Sequence, residues 1–186
     1  MNRISALLLC LALLVPPAAL AQQASGVEVR NAQATLRDGQ WFVSARVDYR
    51  FSREVTEALR NGVTITFGLE IELVDQRRWW LDSTVVRIRQ ESQLSYEPLS
   101  DGYVVRNTRT GEQQTFTALY AAVRALGRIS ELPLVADAEL DPEASYEVAI
   151  RAALDQEDLP GPLRLLAFWS SGLDLESDWY RWPLRD

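Results

Sequence analysis

The chemistry open to this chain is limited by the side chains that it lacks. The sequence contains no histidine, a single cysteine, and only arginine among its 19 basic residues. Without histidine or lysine, the Ser-His-Asp and Cys-His arrangements, Schiff-base chemistry and Ser-Lys dyads are excluded. Carboxylates, tyrosines, arginines and hydroxyls remain. We therefore expect a protein that is not an enzyme, and a carboxylate-based hydrolase is the enzymatic alternative that stays open.

The run Arg77–Asp82, with the sequence RRWWLD, is the most unusual candidate for a binding site. Adjacent tryptophans on a strand point to opposite faces, so one of the pair, Trp79, lies on the outer face if the other enters the core. Arginine and tryptophan dominate interface hot spots. The candidate partner-binding residues are Arg77, Arg78, Trp79 and Asp82. In the structural alternative, a helix or loop covers the second tryptophan, and the arginines neutralise Asp82, Glu70 or Glu72.

Acidic residues cluster near the C-terminus but do not predict a metal site. Asp174, Glu176 and Asp178 alternate along one predicted strand at about 7 Å spacing, whereas calcium needs six to eight converging oxygens. The acidic loop 155–158 lacks the glycine and the regular spacing of an EF-hand. We expect a solvated or arginine-paired acidic face, with no metal and no cofactor.

The N-terminal residues 1–21 have the features of an export signal. Arg3 supplies a positive start, an apolar run follows over 4–15, and Ala19-Leu20-Ala21 fits a cleavage site. The apolar run is too short to span a bilayer, and no second one follows. We expect cleavage, a periplasmic location and a single mature domain over residues 22–186 without a membrane span. The alternative is an uncleaved N-terminal anchor.

The mature chain is acidic and has no disulfide. Cys10 leaves with the signal, and the loss of Arg3 leaves 18 basic against 26 acidic residues, a net charge of −8. An acidic chain without a basic block argues against nucleic acid and anionic membrane surfaces as partners.

Alternating apolar residues predict that the sheet is built around one long β-hairpin between Gly62 and Arg89. We expect its turn at Asp75-Gln76 and its returning strand from Arg77 onwards. Before it, Asp38-Gly39 predicts a type I′ turn between two further strands, with a bulge near Arg30-Asn31 in the first.

Two short helices and further strands complete the prediction. Ser52 is expected to cap a helix that Gly62 ends, and helical spacing predicts a second helix over 117–128, with Leu119, Tyr120, Val123 and Leu126 on one face. Residues 130–142 are expected to form a loop, and Leu163–Trp169 fits a strand or a helical turn. Further strands are expected at 103–105, 112–116, 146–154 and 173–182. The total of eight or nine strands predicts a mainly β fold, an antiparallel β-sandwich of immunoglobulin-like or similar type.

Several segments resemble an uncharacterised proteobacterial family of exported proteins, a domain of unknown function. They include RRWWLD, Leu94-Ser95-Tyr96, Tyr103-Val104-Val105, Gln114-Thr115-Phe116 and the C-terminal run SDWYRW, residues 177–182. The resemblance covers nearly the whole mature chain and implies a periplasmic or exported protein without established activity. Genes of the family are often found beside a nitrogen-regulation-like sensor kinase, which implies a link to envelope signalling.

These observations favour a non-enzymatic periplasmic accessory protein that binds a protein partner of the envelope, such as the extracytoplasmic part of a sensor kinase. A glycan-binding or small-ligand-binding module is the alternative, because six tryptophans could supply stacking surfaces. The tryptophans are spread over distant segments, however, and a sandwich also needs bulky residues in its core.

Overall fold

A computed structural model describes residues 25–76, 83–155 and 176–185. The predicted export signal and the ambiguous segment Leu163–Trp169 lie outside these residues. In the order of the chain, the elements are β1 Gly26–Arg37, β2 Gln40–Arg50, α1 Arg53–Arg60, β3 Ile65–Asp75, β4 Ser83–Glu97, β5 Gly102–Asn107, β6 Gln113–Phe116, α2 Leu119–Leu126, β7 Arg128–Ala136, a 3-10 turn Asp137–Glu139, β8 Tyr146–Leu154 and β9 Tyr180–Pro183.

The nine strands described form two antiparallel sheets that enclose one hydrophobic core. One sheet has three strands in the order β1-β2-β7, and the other has six in the order β6-β5-β4-β3-β8-β9. The core cluster contains apolar residues from both sheets and both helices. The predicted mainly β, sandwich-like fold with two short helices is confirmed.

The first hairpin forms as its turn chemistry predicts. Asp38 and Gly39 both have positive φ, +51° and +75°, which a type I′ turn requires. The pairing of β1 with β2 shifts register between Val29 and Asn31, so the predicted bulge is confirmed. The result is a long, twisted ribbon whose inner face is buried at every second residue of β2.

Helix α1 begins and ends at the residues that the sequence indicates. The Ser52 hydroxyl accepts a hydrogen bond from the Val55 N–H at 3.3 Å, which satisfies one of the free donors at the helix start. The buried face consists of Val55, Ala58 and Leu59. Gly62 follows with φ +83°, a conformation that glycine adopts without a steric penalty.

Strand β3 is the centre of the six-stranded sheet, because it pairs with β4 on one side and β8 on the other. The predicted turn at Asp75-Gln76 is wrong: Asp75 is still paired, with Ser83 and with Tyr146. The Gln76 N–H donates to the Ser145 carbonyl at 2.8 Å, which keeps the chain extended alongside the start of β8. The returning strand is therefore paired from Ser83, and it continues to Glu97.

The loop predicted at 130–142 is wrong over its first half, where β7 pairs with β2. The pairing shifts register twice, and Glu131 adopts φ +49°. These irregularities break the period-two pattern, so Leu132, Leu134 and Val135 are all buried without a regular alternation in the sequence. The predicted second helix is confirmed over Leu119–Leu126, although Tyr120 is 71% exposed and does not join the buried face.

The C-terminal strand is shorter than the alternation predicts. Within the described part of this segment, from residue 176 onwards, β9 is the one regular strand, and Glu176 forms an isolated bridge with Ala153. Ser177 is buried beside β8, where its N–H donates to the Ala152 carbonyl at 2.8 Å and its hydroxyl accepts from the Ala152 N–H at 3.0 Å. Residues 176–183 therefore lie along the edge of β8. Strand β9 pairs with β8 through its backbone, and at Ser177 the side-chain hydroxyl takes the place of a backbone acceptor.

Asp137 connects the first hairpin to the C-terminus. Its Oδ1 accepts from the Trp41 indole N–H at 2.8 Å and from the Arg185 guanidinium at 2.7 Å. Two hydrogen bonds lower the pKa of Asp137 below its usual value of 3.8, and the one donated by Trp41 has the larger effect, ahead of the one donated by Arg185. A carboxyl whose pKa is lowered by folding stabilises the protein above its unfolded-state pKa, and this contribution is lost as the pH falls through the folded-state pKa.

We therefore expect Asp137→Asn to lower the melting temperature at pH 7, with a difference from the wild type that shrinks as the pH falls below about 4. Thermal unfolding of both proteins between pH 7 and pH 2.5 measures this difference. Asp141→Asn is the matched control, since Asp141 is an exposed carboxylate just after the same 3-10 turn. A difference at pH 7 that persists unchanged at low pH would contradict the ionic role of Asp137.

Candidate functional site

The partner-binding residues predicted from the sequence, Arg77, Arg78, Trp79 and Asp82, lie outside the described residues. The carboxylates that the two arginines were expected to neutralise have partners on neighbouring strands. Glu72 pairs with Arg87 at 2.6 Å, and Glu70 pairs with Arg151 at 2.9 Å. Neutralisation of Glu70 and Glu72 therefore does not depend on the RRWWLD run.

Opposite charges alternate across the outer face of the six-stranded sheet. Arg87 on β4 also approaches Glu70 on β3 at 3.5 Å, and Glu147 on β8 pairs with Arg181 on β9 at 3.0 Å. Arg151 bridges Glu70 and Glu176, and the hydrogen bond that it donates to Glu70 raises the pKa of Arg151. Glu176 is thus paired with an arginine, as predicted, and the described part of this face carries a ladder of ion pairs.

The described tryptophans do not form a stacking platform for a sugar. Trp41 is buried in the core, and Trp182 packs against the core with its indole N–H buried and without a partner among the described residues. Trp179 is half-buried, with the Arg151 guanidinium 4.7 Å and the Arg181 guanidinium 5.7 Å from its ring centroid. In the part of the chain that the structure covers, no two of these rings share an exposed groove.

A cleft opens between the sheets where the smaller one ends. Three strands cannot cover the inner face of six, and helix α2 contacts β4, β5 and β6 beyond the end of the three-stranded sheet. Between α2 and the sheets lies a cavity of about 190 Å³. It lies beside β6, the edge strand of the larger sheet.

The lining of this cleft is apolar at the floor and polar at the walls. Apolar surface comes from Tyr49, Phe67, Leu69, Val105 and Leu126, and polar side chains come from Gln90, Ser92, Asn107, Glu112, Gln114 and Arg128. The Asn107 carboxamide is engaged, since its Oδ1 accepts from two backbone N–H groups at 3.0 Å. The side chains of Gln90, Ser92 and Gln114 form no hydrogen bond with another described residue, so they are available to a ligand.

Tyr49 is the most enclosed polar residue of the cleft. Its relative exposure is 9%, its ring packs against Phe67 at a centroid distance of 5.0 Å, and burial raises its pKa. A neutral phenol is therefore the form present at physiological pH. One carboxylate, Glu112, is among the described residues that line the cleft, whereas carboxylate-based hydrolysis uses two.

Sequence reasoning missed these residues although a signal was present. When the alternation of β4 is counted back from the buried Leu94, the inward positions are Ser92 and Gln90. Both residues are polar, so in the sequence the alternation of apolar and polar residues breaks off there. If apolar residues alternate regularly before and after them, polar residues at inward positions of a strand indicate that this part of the inner face is not covered by the other sheet.

The edge strand β6 offers free backbone groups beside the cleft. The Asn107 N–H donates to the Glu112 carbonyl, and the Gly111 N–H donates to the Asn107 carbonyl, both at 2.9 Å, with Gly111 at φ +73°. This is a bulge of the type that closes short hairpins. Because hydrogen-bonded pairs alternate along an antiparallel ladder, the backbone N–H and C=O groups of Gln113 and Thr115 point away from β5, towards solvent.

These features define a mainly β protein with an inter-sheet cleft beside an open sheet edge. Residues 24–183 match the model of a family described as "Domain of unknown function (DUF4390)", and the chain belongs to this family. No curated protein and no solved structure matches the chain. Among the described residues, no helix has the length and apolar character needed to cross a membrane, and no group of three or more acidic, histidine or cysteine residues is arranged to hold a metal ion.

The cleft depends on a close approach between α2 and β2 at Gly127. The Val47 N–H donates to the Gly127 carbonyl at 2.8 Å, and a Cβ on Gly127 would lie 1.9 Å from the Val47 carbonyl oxygen. We expect Gly127→Ala to lower the free energy of unfolding by about 1–3 kcal/mol, because the helix must shift away from β2. Urea denaturation measures this change.

Gly68→Ala is the matched control, since the nearest atom to its added Cβ, the Ala153 carbonyl oxygen, is 4.0 Å away. Alanine is also better than glycine inside a strand, so this control should be neutral or slightly stabilising. Equal destabilisation by the two substitutions would contradict a specific role for the contact at Gly127.

Proposed function

We propose that the protein is an exported, non-enzymatic accessory protein of the periplasm, and that it binds an extended segment of an envelope protein through the edge of β6. The observation that carries the proposal is an unprotected sheet edge beside a cleft with unengaged polar side chains. Addition of a strand to such an edge is a recurrent mode of peptide recognition.

The other sheet edges carry bulges, prolines or register shifts that discourage pairing, whereas in β6 only the short length of the strand does so. Strand β1 is bulged next to Arg30, β7 contains Pro133 and two register shifts, and β9 ends in Pro183. Bulges, prolines and charges are the usual protection of edge strands. The four residues of β6 include none of these, and its first three side chains are exposed. Its short length limits the incoming segment to a few backbone hydrogen bonds.

The cleft supplies the specificity that backbone pairing lacks. Side chains of an added strand alternate between the two faces of the sheet, so those on the inner face would lie next to Gln114 and point towards the cleft. A cavity of about 190 Å³ holds one or two side chains of the partner. Its lining suits an apolar side chain that carries a hydrogen-bonding group, such as tyrosine or glutamine.

Export and the choice of partner are supported by the sequence. The features of residues 1–21 favour secretion, and the lack of histidine and lysine favours binding over catalysis. The resemblance to exported proteins encoded beside a sensor kinase makes the extracytoplasmic part of such a kinase the first partner to test.

The edge can be blocked without loss of the β5–β6 ladder. Thr115→Pro removes an N–H that points to solvent, so we expect the fold to remain and partner capture to fall at least tenfold. Thr115→Val is the matched control, because it keeps the N–H and a β-branched side chain. Capture is measured by photo-crosslinking of the tagged protein in the periplasm followed by mass spectrometry, since a chain without lysine reacts poorly with amine reagents.

Equal capture by Thr115→Pro and Thr115→Val would overturn binding through β6. The predicted patch is tested in the same experiment, since loss of capture only in the double variant Arg77→Ala/Trp79→Ala would assign binding to the RRWWLD run. Circular dichroism of each variant confirms that a loss of capture does not reflect unfolding.

A small-ligand-binding module is the second candidate, and the enclosed, unengaged polar lining of the cleft favours it. Ser92→Leu would fill the cleft and leave the backbone of β6 unchanged. We expect native mass spectrometry of the purified protein to show a bound small molecule that Ser92→Leu loses and Thr115→Pro keeps. The reverse pattern, with loss only in Thr115→Pro, would assign the edge to the ligand instead.

A further inference from the structure

We propose that the outer face of the three-stranded sheet binds a phosphoryl-type oxyanion at an arginine cluster, in a concavity lined by Arg46 and Arg124 and next to Arg128, the register partner of Arg46. These residues come from β2, α2 and the start of β7, so the cluster exists only in the folded chain. None of the three has an ion pair with another described residue. The concavity that Arg46 and Arg124 line is separate from β6 and does not depend on the function proposed above, whereas Arg128 also lines the inter-sheet cleft.

The pairing of β2 with β7 places two of these arginines directly opposite each other. Arg46 and Arg128 are register partners. Like charges at directly opposed positions of an antiparallel pair are destabilising. Their opposition therefore costs stability in the free protein, and an anion bound at Arg46 would reduce that cost.

The surrounding charges leave the face positive. Arg30 pairs with Glu28 at 2.8 Å and with Asp48 at 2.7 Å, and Arg50 approaches Glu28 at 3.7 Å. Five arginines thus face two carboxylates, in a chain whose net charge is −7. The outer face of the six-stranded sheet differs, because there the arginines of β8 and β9 are paired with carboxylates.

A concavity of about 200 Å³ lies between the strands and the end of α2. It is lined by Arg30, Arg46, Arg50 and Arg124, together with Asp48, whose Oδ2 is already bonded to Arg30. The Gly127 carbonyl at the helix end accepts from Val47 and is also engaged. A cavity of this size fits a phosphate or pyrophosphate group rather than a whole nucleotide.

Arginine favours this class of ligand. Its planar guanidinium presents paired donors that match phosphoryl oxygens, and several such groups around one concavity bind a multivalent anion more strongly than a chloride ion. A phosphate group could belong to a free small molecule or to the headgroup of a lipid. The shared chemistry is a tetrahedral oxyanion with at least one negative charge.

The test combines binding with the stability of the ligand-free protein. We expect pyrophosphate to raise the melting temperature of the full chain more than sodium chloride does at equal ionic strength. Arg46→Gln and Arg124→Gln should each weaken pyrophosphate binding about tenfold in titration calorimetry. Arg46→Gln and Arg128→Gln should each raise the melting temperature without ligand, because the like-charge opposition is gone.

Arg109→Gln is the matched control, an arginine of the β5–β6 turn that has no ion pair among the described residues and does not line the concavity. It should change neither property. Vesicles of phosphatidylglycerol and of phosphatidylcholine distinguish the two sources of the phosphate group. If the protein co-sediments with phosphatidylglycerol vesicles and Arg46→Gln abolishes this binding, the ligand is a lipid headgroup. If pyrophosphate stabilises the protein but vesicles do not bind it, the ligand is a free small molecule.

The proposal is overturned if neither pyrophosphate nor anionic vesicles bind more tightly than about 1 mM. It is also overturned if binding occurs but survives both Arg46→Gln and Arg124→Gln. A lower melting temperature of ligand-free Arg46→Gln would overturn it as well, since the arginine would then serve the fold rather than a ligand.

Discussion

The difference in width between the two sheets determines most of what is distinctive about this structure. A sheet must bury its apolar face against another layer, and here six strands face three. Helix α2 covers part of the excess, held against β2 by the contact between Val47 and Gly127. Helix α2 reaches the edge strand β6 but leaves the polar cleft between itself and the sheets, so the cleft and the open edge of β6 lie side by side.

The outer faces of the two sheets differ in how their charged residues are paired. On the six-stranded sheet, carboxylates and arginines alternate between neighbouring strands, which adds little stability per exposed pair but leaves the face without a strong local field. On the three-stranded sheet, Arg46 and Arg128 oppose each other without compensation among the described residues. Like charges at directly opposed positions of an antiparallel pair are destabilising, which is why this pair is part of the basis of the proposed anion site.

Much of the fold could be predicted because it depends on local physical rules. The alternation of β2, β3 and β8, the positive φ of Asp38-Gly39 and the cap at Ser52 are each determined within a few residues. Strand β7 was missed because its register shifts against β2 disrupt the period-two pattern. Those shifts are a property of two strands in contact, and the sequence of either one alone does not indicate them.

The candidate sites were harder to predict for the same reason. The RRWWLD run is a local signal, and sequence reasoning therefore found it first. The arginine cluster instead joins residues 46, 124 and 128, and the cleft joins residues of six strands, among them Tyr49 of β2 and Gln114 of β6. Residues of this kind look ordinary in sequence: a single arginine on an outward position, or a glutamine on an inward one. The role of such a residue depends on the residues that the topology places next to it. In a chain with few catalytic residue types, the candidate sites are therefore defined mainly by which strands pair with each other.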